Sequence, residues 1–381
     1  MKVIKNINFN RLLINKILYL KALIIFTSFL FNKRSYRKIK VGVLGLEHSH
    51  NIGNNLLKYA MFIVLSELGY DPYIVGMKFL DHNITFIQTI TKLILINNSY
   101  SEIKENDYDI LMVNSDQTWR KWPYCNYKYF YDIAFLKFAE NWTVPKIVYG
   151  ASLGINIWEY NKEDEKIAKL LLKKFKAVSV REKGSIQLIE NHLGIKPDFV
   201  LDPTLLINKD YYLNFIKNYK SKISKNDKYI CIYCISYMKQ LISLINRIKA
   251  INNYKIFWIT NIKDFIYGIY YHNNKWIFFG FKKNLFIYIL YFYKLKRFQT
   301  IWDLIKILLY SKGVITDSFH GTIFSIIFNK PFITLINEKS GEERFNSLKE
   351  IFNIRNRIND IDSEPDITLL EKPLYLNMYN R

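Results

Sequence analysis

The chain has 381 residues, half of them apolar, with seven Trp, 29 Tyr, 27 Phe and a charged fraction of 23%. That composition excludes intrinsic disorder, and the length exceeds one ordinary core, so two domains are expected. The net charge of +22 is concentrated in residues 1–40, with ten Lys or Arg and no acid, and in 265–300, with six basic residues and no acid.

Residues 12–31 combine apolar runs with Lys16 and Lys21, the pattern of an interfacial helix or, equally, of an amphipathic helix packed on the domain. The uncharged run 22–32 is too short to span hydrocarbon, which takes about 20 residues. No small-residue cleavage site precedes Lys33 and Arg34, so neither a transmembrane helix nor a signal peptide is expected. The expected location is cytoplasmic, with the basic segments suited to the inner membrane face. No nucleic-acid motif accompanies the charge, so nucleic acid is not an expected partner.

From Lys40 the pattern reads strand 41–46, loop 47–53, helix 54–68 and strand 72–75. Strands follow at 110–113, 146–150, 177–180 and 199–201, with a helix at 162–174. A polar stretch rich in Lys and Asn, 208–228, then separates the halves. The second half reads strand 229–236, helix 239–252, strand 255–259, helix 302–311, strand 313–316, helix 322–329 and, after Pro331, strand 332–336. Strands alternating with helices imply mainly parallel sheets. The expected class is α/β, two Rossmann-like domains facing a cleft, with an extension over 1–38, a first domain over 39–207 and a second over 226–381.

Cys231 and Cys234 form a lone Cys-x-x-Cys inside a strand. Residues three apart there point to opposite faces, and no second pair supplies zinc ligands, so buried thiols are expected. Asn141, Trp142 and Thr143 fit a glycosylation acceptor, which matters only on export.

Four loops carry polar residues at strand ends. His48 to Asn55 leaves a strand and starts a helix whose free N–H groups suit an anion, with Gly53 allowing close approach. His48 and His50 lack further ligands, so they read as loop residues and no metal is expected. After strand 110–113 come Asn114, Ser115, Asp116, Gln117, Thr118 and Trp119. Here Ser115 and Asp116 cap a turn, or Asp116 and Gln117 bind sugar hydroxyls while Trp119 stacks on a ring face. Arg181 offers a fork for phosphate or carboxylate, or forms a plain salt bridge, and Asp202 caps a turn or joins the site. Finally, His320 sits where strand 313–316 turns into a helix, and such carboxyl ends of strands border the ligand crevice in open α/β sheets.

Taken in order, these pieces resemble the polysaccharide pyruvyl transferase family over residues 41–358. They are the 51–55 loop, Asn114 to Trp119, Val180–Arg181–Glu182 with Ser185, Leu201 to Thr204, Asp317–Ser318–Phe319–His320–Gly321, and Arg344–Phe345. The resemblance implies a glycosyltransferase-B-like fold. It also implies transfer of a pyruvyl group from phosphoenolpyruvate to two hydroxyls of a hexose, in a surface polysaccharide or its lipid-linked precursor, forming a ketal without a cofactor. It assigns catalysis to His320, Arg181 and Asp317. Substrate binding falls to Asn51, Gly53, Asn54, Asn55, Ser115, Asp116, Gln117, Trp119, Ser318, Gly321 and Arg344.

Arg181 and Arg344 are the expected cations for the donor, and His320 the expected proton-transfer group. A helix start disfavours the imidazolium, whereas a bound dianion or Asp317 favours it, so acid and base roles both stand. Many relatives carry Arg two residues before the matched histidine, where this chain has Ser318. Competing readings are a nucleotide-sugar glycosyltransferase and a catalytically silent membrane-surface protein of the same fold. His320 and Arg181 are expected to converge on one pocket.

Overall fold

The computed structural model describes residues 37–46, 52–77, 91–121, 127–217, 228–234, 241–252, 254–262, 265–272, 275–279, 301–336, 341–372 and 374. The expected helix over 12–31, His48, His50, Asn51 and the basic run 280–300 lie outside them. Among the described residues no helix is long and apolar enough to cross a membrane. The chain divides into two compact units, the first ending at Ile207 and taking in Gly341–Ser347, the second comprising Asn208–Ser340 and Leu348–Arg381.

The first unit runs β1 (Lys40–Leu44), α1 (Ile52–Glu67), β2 (Asp71–Met77), β3 (Leu93–Ile96), β4 (Ile110–Val113), α2 (Tyr127–Phe135), β5 (Lys146–Ala151), α3 (Lys162–Leu172), β6 (Ala177–Val180), α4 (Gly184–Leu193) and β7 (Asp198–Phe199). Its seven strands are ordered β3-β2-β1-β4-β5-β6-β7, all parallel. The chain winds outward from β1 to β3, then returns to lay β4 on the other side of β1. The β1/β4 junction is therefore the topological switch point.

Burial explains the strand sequences. β4 reads Ile-Leu-Met-Val and is buried throughout, as a central parallel strand covered on both faces must be. In β1 Gly42 is required, because a Cβ there would approach the Tyr108 ring to 2.8 Å. Helix α3 starts where Asn161 accepts the Asp164 N–H and three acids fill the first turn. Helix α4, absent from the sequence reading, lacks a side-chain cap at Lys183 and so gives no start signal, although Gly194, at φ +68°, closes it. The expected strand 199–201 is Asp198–Phe199, ending before the Asp202 cap.

The second unit runs α5 (Lys209–Lys217), β8 (Tyr229–Cys234), α6 (Leu241–Asn252), β9 (Lys255–Ile262), β10 (Phe265–His272), β11 (Lys275–Phe279), α7 (Ile301–Tyr310), β12 (Gly313–Thr316), α8 (Phe319–Ile327), β13 (Phe332–Ile336), α9 (Glu342–Phe352) and β14 (Ile358–Asp360). The first residues of α9 count with the first unit. Strand order is β11-β10-β9-β8-β12-β13-β14, with β10 antiparallel to both neighbours and the other pairings parallel. Its switch point is the β8/β12 junction.

The polar stretch after 208 is not only a linker. Within it Tyr212 of α5 is fully buried and packs edge-to-face on Phe324 of α8, with ring centroids 5.0 Å apart. Helix α8 is buried on every side, as a helix apolar all round must be. It begins at Phe319 rather than at 322, because Ser318 caps it, and this places His320 inside the first turn. Cys231 and Cys234 are free and buried in β8, and burial raises both thiols far above their ordinary range.

Candidate active site

In the first unit the loop after β4 is fixed from several sides. The Asn114 N–H donates to the Leu44 carbonyl at 2.7 Å, joining β4 to β1. The Ser115 hydroxyl donates to the Gly150 carbonyl at 2.6 Å, so this residue anchors the β5 bulge. Asp116 holds φ at +125°, a conformation that non-glycine residues rarely adopt and that is kept where surroundings over-determine it. Its carboxylate accepts the Gln117 N–H at 2.8 Å and Arg181 Nη2 at 3.0 Å.

Arg181 is enclosed by acids. Its side chain is 1% exposed, and beyond Asp116 it donates from Nη1 to Asp202 at 2.6 Å and from Nε to Glu182 at 3.4 Å. The expected fork for the donor is thus occupied by the protein's own carboxylates, and Arg181 is a structural hub. Asp202 also accepts the Thr204 N–H at 3.0 Å, and Ser185 donates to Glu182 at 3.0 Å. Burial raises the Glu182 carboxyl above its ordinary value, although Arg181 and Arg344 pull it down.

Arg344, in the first turn of α9, belongs to this unit. Burial, and then the like charge of Arg181, lowers its guanidinium to about 10, so it stays cationic at neutral pH. Its Nε donates to the Gly341 carbonyl at 3.2 Å. A Cβ on Gly341 would come within 2.6 Å of the Gln117 amide nitrogen and 2.8 Å of Arg344 Nε, so amide and guanidinium meet at this glycine. Gln117 Nε2 is buried without a hydrogen-bond partner. Ser347 and Glu343 accept the backbone N–H groups of Lys183 and Gly184 at 3.1 and 3.2 Å, seating this turn of α9 at the start of α4.

Trp119 does not line the site. It is 1% exposed, stacks on Phe135 at 5.7 Å and donates Nε1–H to the Ala134 carbonyl at 2.9 Å, so no ring face is open to a sugar. Gly53, Asn54 and Asn55 lie in the first turn of α1, and Asn54 donates to the Leu46 carbonyl.

In the second unit the Asp317–Gly321 segment follows β12 at the switch point. The Thr316 hydroxyl donates to the Tyr233 carbonyl at 2.6 Å and accepts the Ser318 N–H at 3.0 Å. Ser318 in turn caps α8 by accepting the Gly321 N–H at 3.3 Å. Thr322 donates to the Ser318 carbonyl at 3.1 Å and hydrogen-bonds Thr334 of β13 at 2.8 Å. Gly321 has no room for a side chain, since a Cβ would strike the Thr316 hydroxyl and the Tyr233 ring. His320 is 7% exposed, edge-to-face on Phe319 at 5.4 Å. Asp317 is 5% exposed. The Tyr233 phenol, overlooked in the sequence, is raised by burial and by the Asp317 carboxylate, against the opposing pull of Ser318. Its position at the end of β8, one strand from β12, was the signal available.

Two mainly parallel sheets, each with polar loops at its switch point, define a protein of two Rossmann-like units in the glycosyltransferase-B-like class. Among solved structures, the chain is similar to UDP-GlcNAc 2-epimerase from Neisseria meningitidis bound to UDP-GlcNAc, at TM-score 0.50 and 11% identity, covering 87% of this chain and 89% of that one. A putative UDP-N-acetylglucosamine 2-epimerase from Listeria monocytogenes gives 0.48 and 11%, covering 85% and 84%. At such identity the likeness concerns fold alone. A search of curated proteins found no match. The polysaccharide pyruvyl transferase profile matches residues 51–339, and the chain belongs to that family, a family of transferases.

Proposed function

We propose that this protein transfers the pyruvyl group of phosphoenolpyruvate to two hydroxyls of a hexose in a cell-surface polysaccharide or its lipid-linked precursor. Two hydroxyl oxygens become bonded to C2 of the donor as their O–H bonds break, the bond from C2 to the phosphate oxygen breaks, one proton is gained at C3, and the other leaves with inorganic phosphate. The observation that carries the reading is His320 in the first turn of α8, beside Asp317 and Ser318 at a sheet switch point. The imidazole moves a proton, to C3 or from a hydroxyl. Arg344 and the Gln117 amide attract the donor's carboxylate or phosphate. Arg181 supports that cation indirectly, by holding Asp116 and Glu182 in place.

The test is a thermal-shift screen with phosphoenolpyruvate, UDP-sugars and GDP-sugars, followed by phosphate release with a glycan acceptor. Phosphoenolpyruvate alone should stabilise the protein. Stabilisation by a nucleotide sugar, with none by phosphoenolpyruvate, would replace the reading with glycosyl transfer. We propose further that the acid-free segment 1–40 rests on an anionic inner leaflet. Flotation with phosphatidylglycerol liposomes that is lost at high salt supports this, and flotation unaffected by salt or absent overturns it.

A further inference from the structure

We propose that Asn55 and Asn114 form an uncharged binding site at the switch point of the first sheet, one that takes the hydroxyl groups of a sugar ring. The claim that this ring is the acceptor rests on pyruvyl transfer; the site's chemistry does not.

Asn114 follows β4 and Asn55 sits in the first turn of α1, the helix after β1, so the topology brings them to the carboxyl ends of the two central strands. Each is 1% exposed. Both amide atoms of Asn114 and the Asn55 nitrogen are buried without a hydrogen-bond partner. The Asn114 backbone is pinned by its bond to Leu44, and a Cβ on Gly45 would stand 3.4 Å from the Asn114 Cβ, so the side chain has a fixed root beside the end of β1.

Folded proteins leave few buried amides unpaired, and those that remain call for an explanation. Two NH2 groups and one carbonyl offer donors and an acceptor together. Adjacent hydroxyls of a pyranose match both. A phosphate or carboxylate supplies acceptors alone and would leave the Asn114 carbonyl facing negative charge. Asn114 is also a specificity device, because an analogue lacking the matching hydroxyl would leave the amide unpaired.

The test uses the full chain without donor, read by saturation-transfer NMR with methyl glucoside, galactoside, mannoside and glucuronide. At least one neutral hexoside should bind, and Asn55→Ala and Asn114→Ala should each weaken it at least tenfold. Because each variant deletes an unpartnered group, its melting temperature should stay level or rise, a result that a merely structural amide would not give. The thermal shift with phosphoenolpyruvate should persist in both variants.

Absence of neutral hexoside binding by the wild type, unchanged binding by both variants, or binding lost together with a lower melting temperature would each overturn the site. Binding confined to the glucuronide would also overturn it, pointing instead to Lys58, 4% exposed and one turn further along α1. Hexoside binding with no response to phosphoenolpyruvate would keep the site and sink pyruvyl transfer.

Discussion

The two units solve the same problem with different forces. Each must hold polar loops at the carboxyl edge of a seven-stranded sheet. The first does so with charge: one guanidinium, 1% exposed, is gripped by three carboxylates drawn from the loops after β4, β6 and β7. The second uses hydroxyl groups and a helix cap, with Thr316, Ser318, Thr322 and Thr334 linked in series. An ion cluster is costly to break because every removed partner strands a buried charge. A hydroxyl chain yields in smaller steps, and its Ser318 cap sets His320 in the first turn of α8.

On the proposed function, substitutions should lower activity most in the second unit and stability most in the first. His320→Ala should cut phosphate release by roughly 10²–10⁴-fold, with the unfolding midpoint unchanged. Near-normal turnover by the purified variant would remove the imidazole from the chemistry. Arg181→Met should destabilise the first unit by about 3–5 kcal/mol, measured by urea unfolding, since Asp116, Glu182 and Asp202 lose their shared partner. A loss under about 1 kcal/mol would show that water or other groups satisfy those acids, and the hub assignment would fail.

Smaller steps probe the hydroxyl chain. Gly321→Ala should cost about 1–3 kcal/mol, because the new methyl meets the Thr316 hydroxyl and the Tyr233 ring, and α8 must lift from β8 and β12. Ser318→Ala removes a cap and should cost about 1 kcal/mol. If Ser318 also orients the first turn, kcat should fall with little change in the KM for phosphoenolpyruvate, and a change in KM alone would place this residue on the donor instead.

How much of this was legible in the sequence depended on whether a local pattern or a distant partner decided the outcome. The strands 110–113, 177–180, 313–316 and 332–336 agree with β4, β6, β12 and β13, because continuous apolar runs between turn residues report burial directly. The start of α8 was misplaced by three residues, since Ser318 reads as one loop residue among several until its side chain is seen accepting the Gly321 N–H. Arg181 and Trp119 were legible as notable residues but not in their roles. A guanidinium free for a ligand and one held by three acids have the same local sequence, and the decisive carboxylates lie 65 and 21 residues away. Trp119 likewise depended on Phe135 and on the Ala134 carbonyl, 15 residues on. Arg344 counts with the first unit although its sequence neighbours from 348 onward count with the second, a return of the chain that no periodicity announces.

Glu182 gives the smallest test and the one most specific to a charge-built site. Its carboxyl is raised by burial against the pull of Arg181 and Arg344, so the folded chain holds this proton more tightly than the unfolded chain does. The resulting stability is fully present below the ordinary carboxylate range and is lost as pH rises through the raised value. Glutamine cannot titrate. Glu182→Gln should therefore gain stability relative to the wild type as pH climbs from acid toward neutral, apart from a constant offset for exchanging a carboxylate oxygen for an amide. Urea midpoints measured from pH 4 to 8 read the difference. A difference that stays flat would mean that Arg181 and Arg344 keep Glu182 ionised across this range, so that the cluster carries its third negative charge throughout.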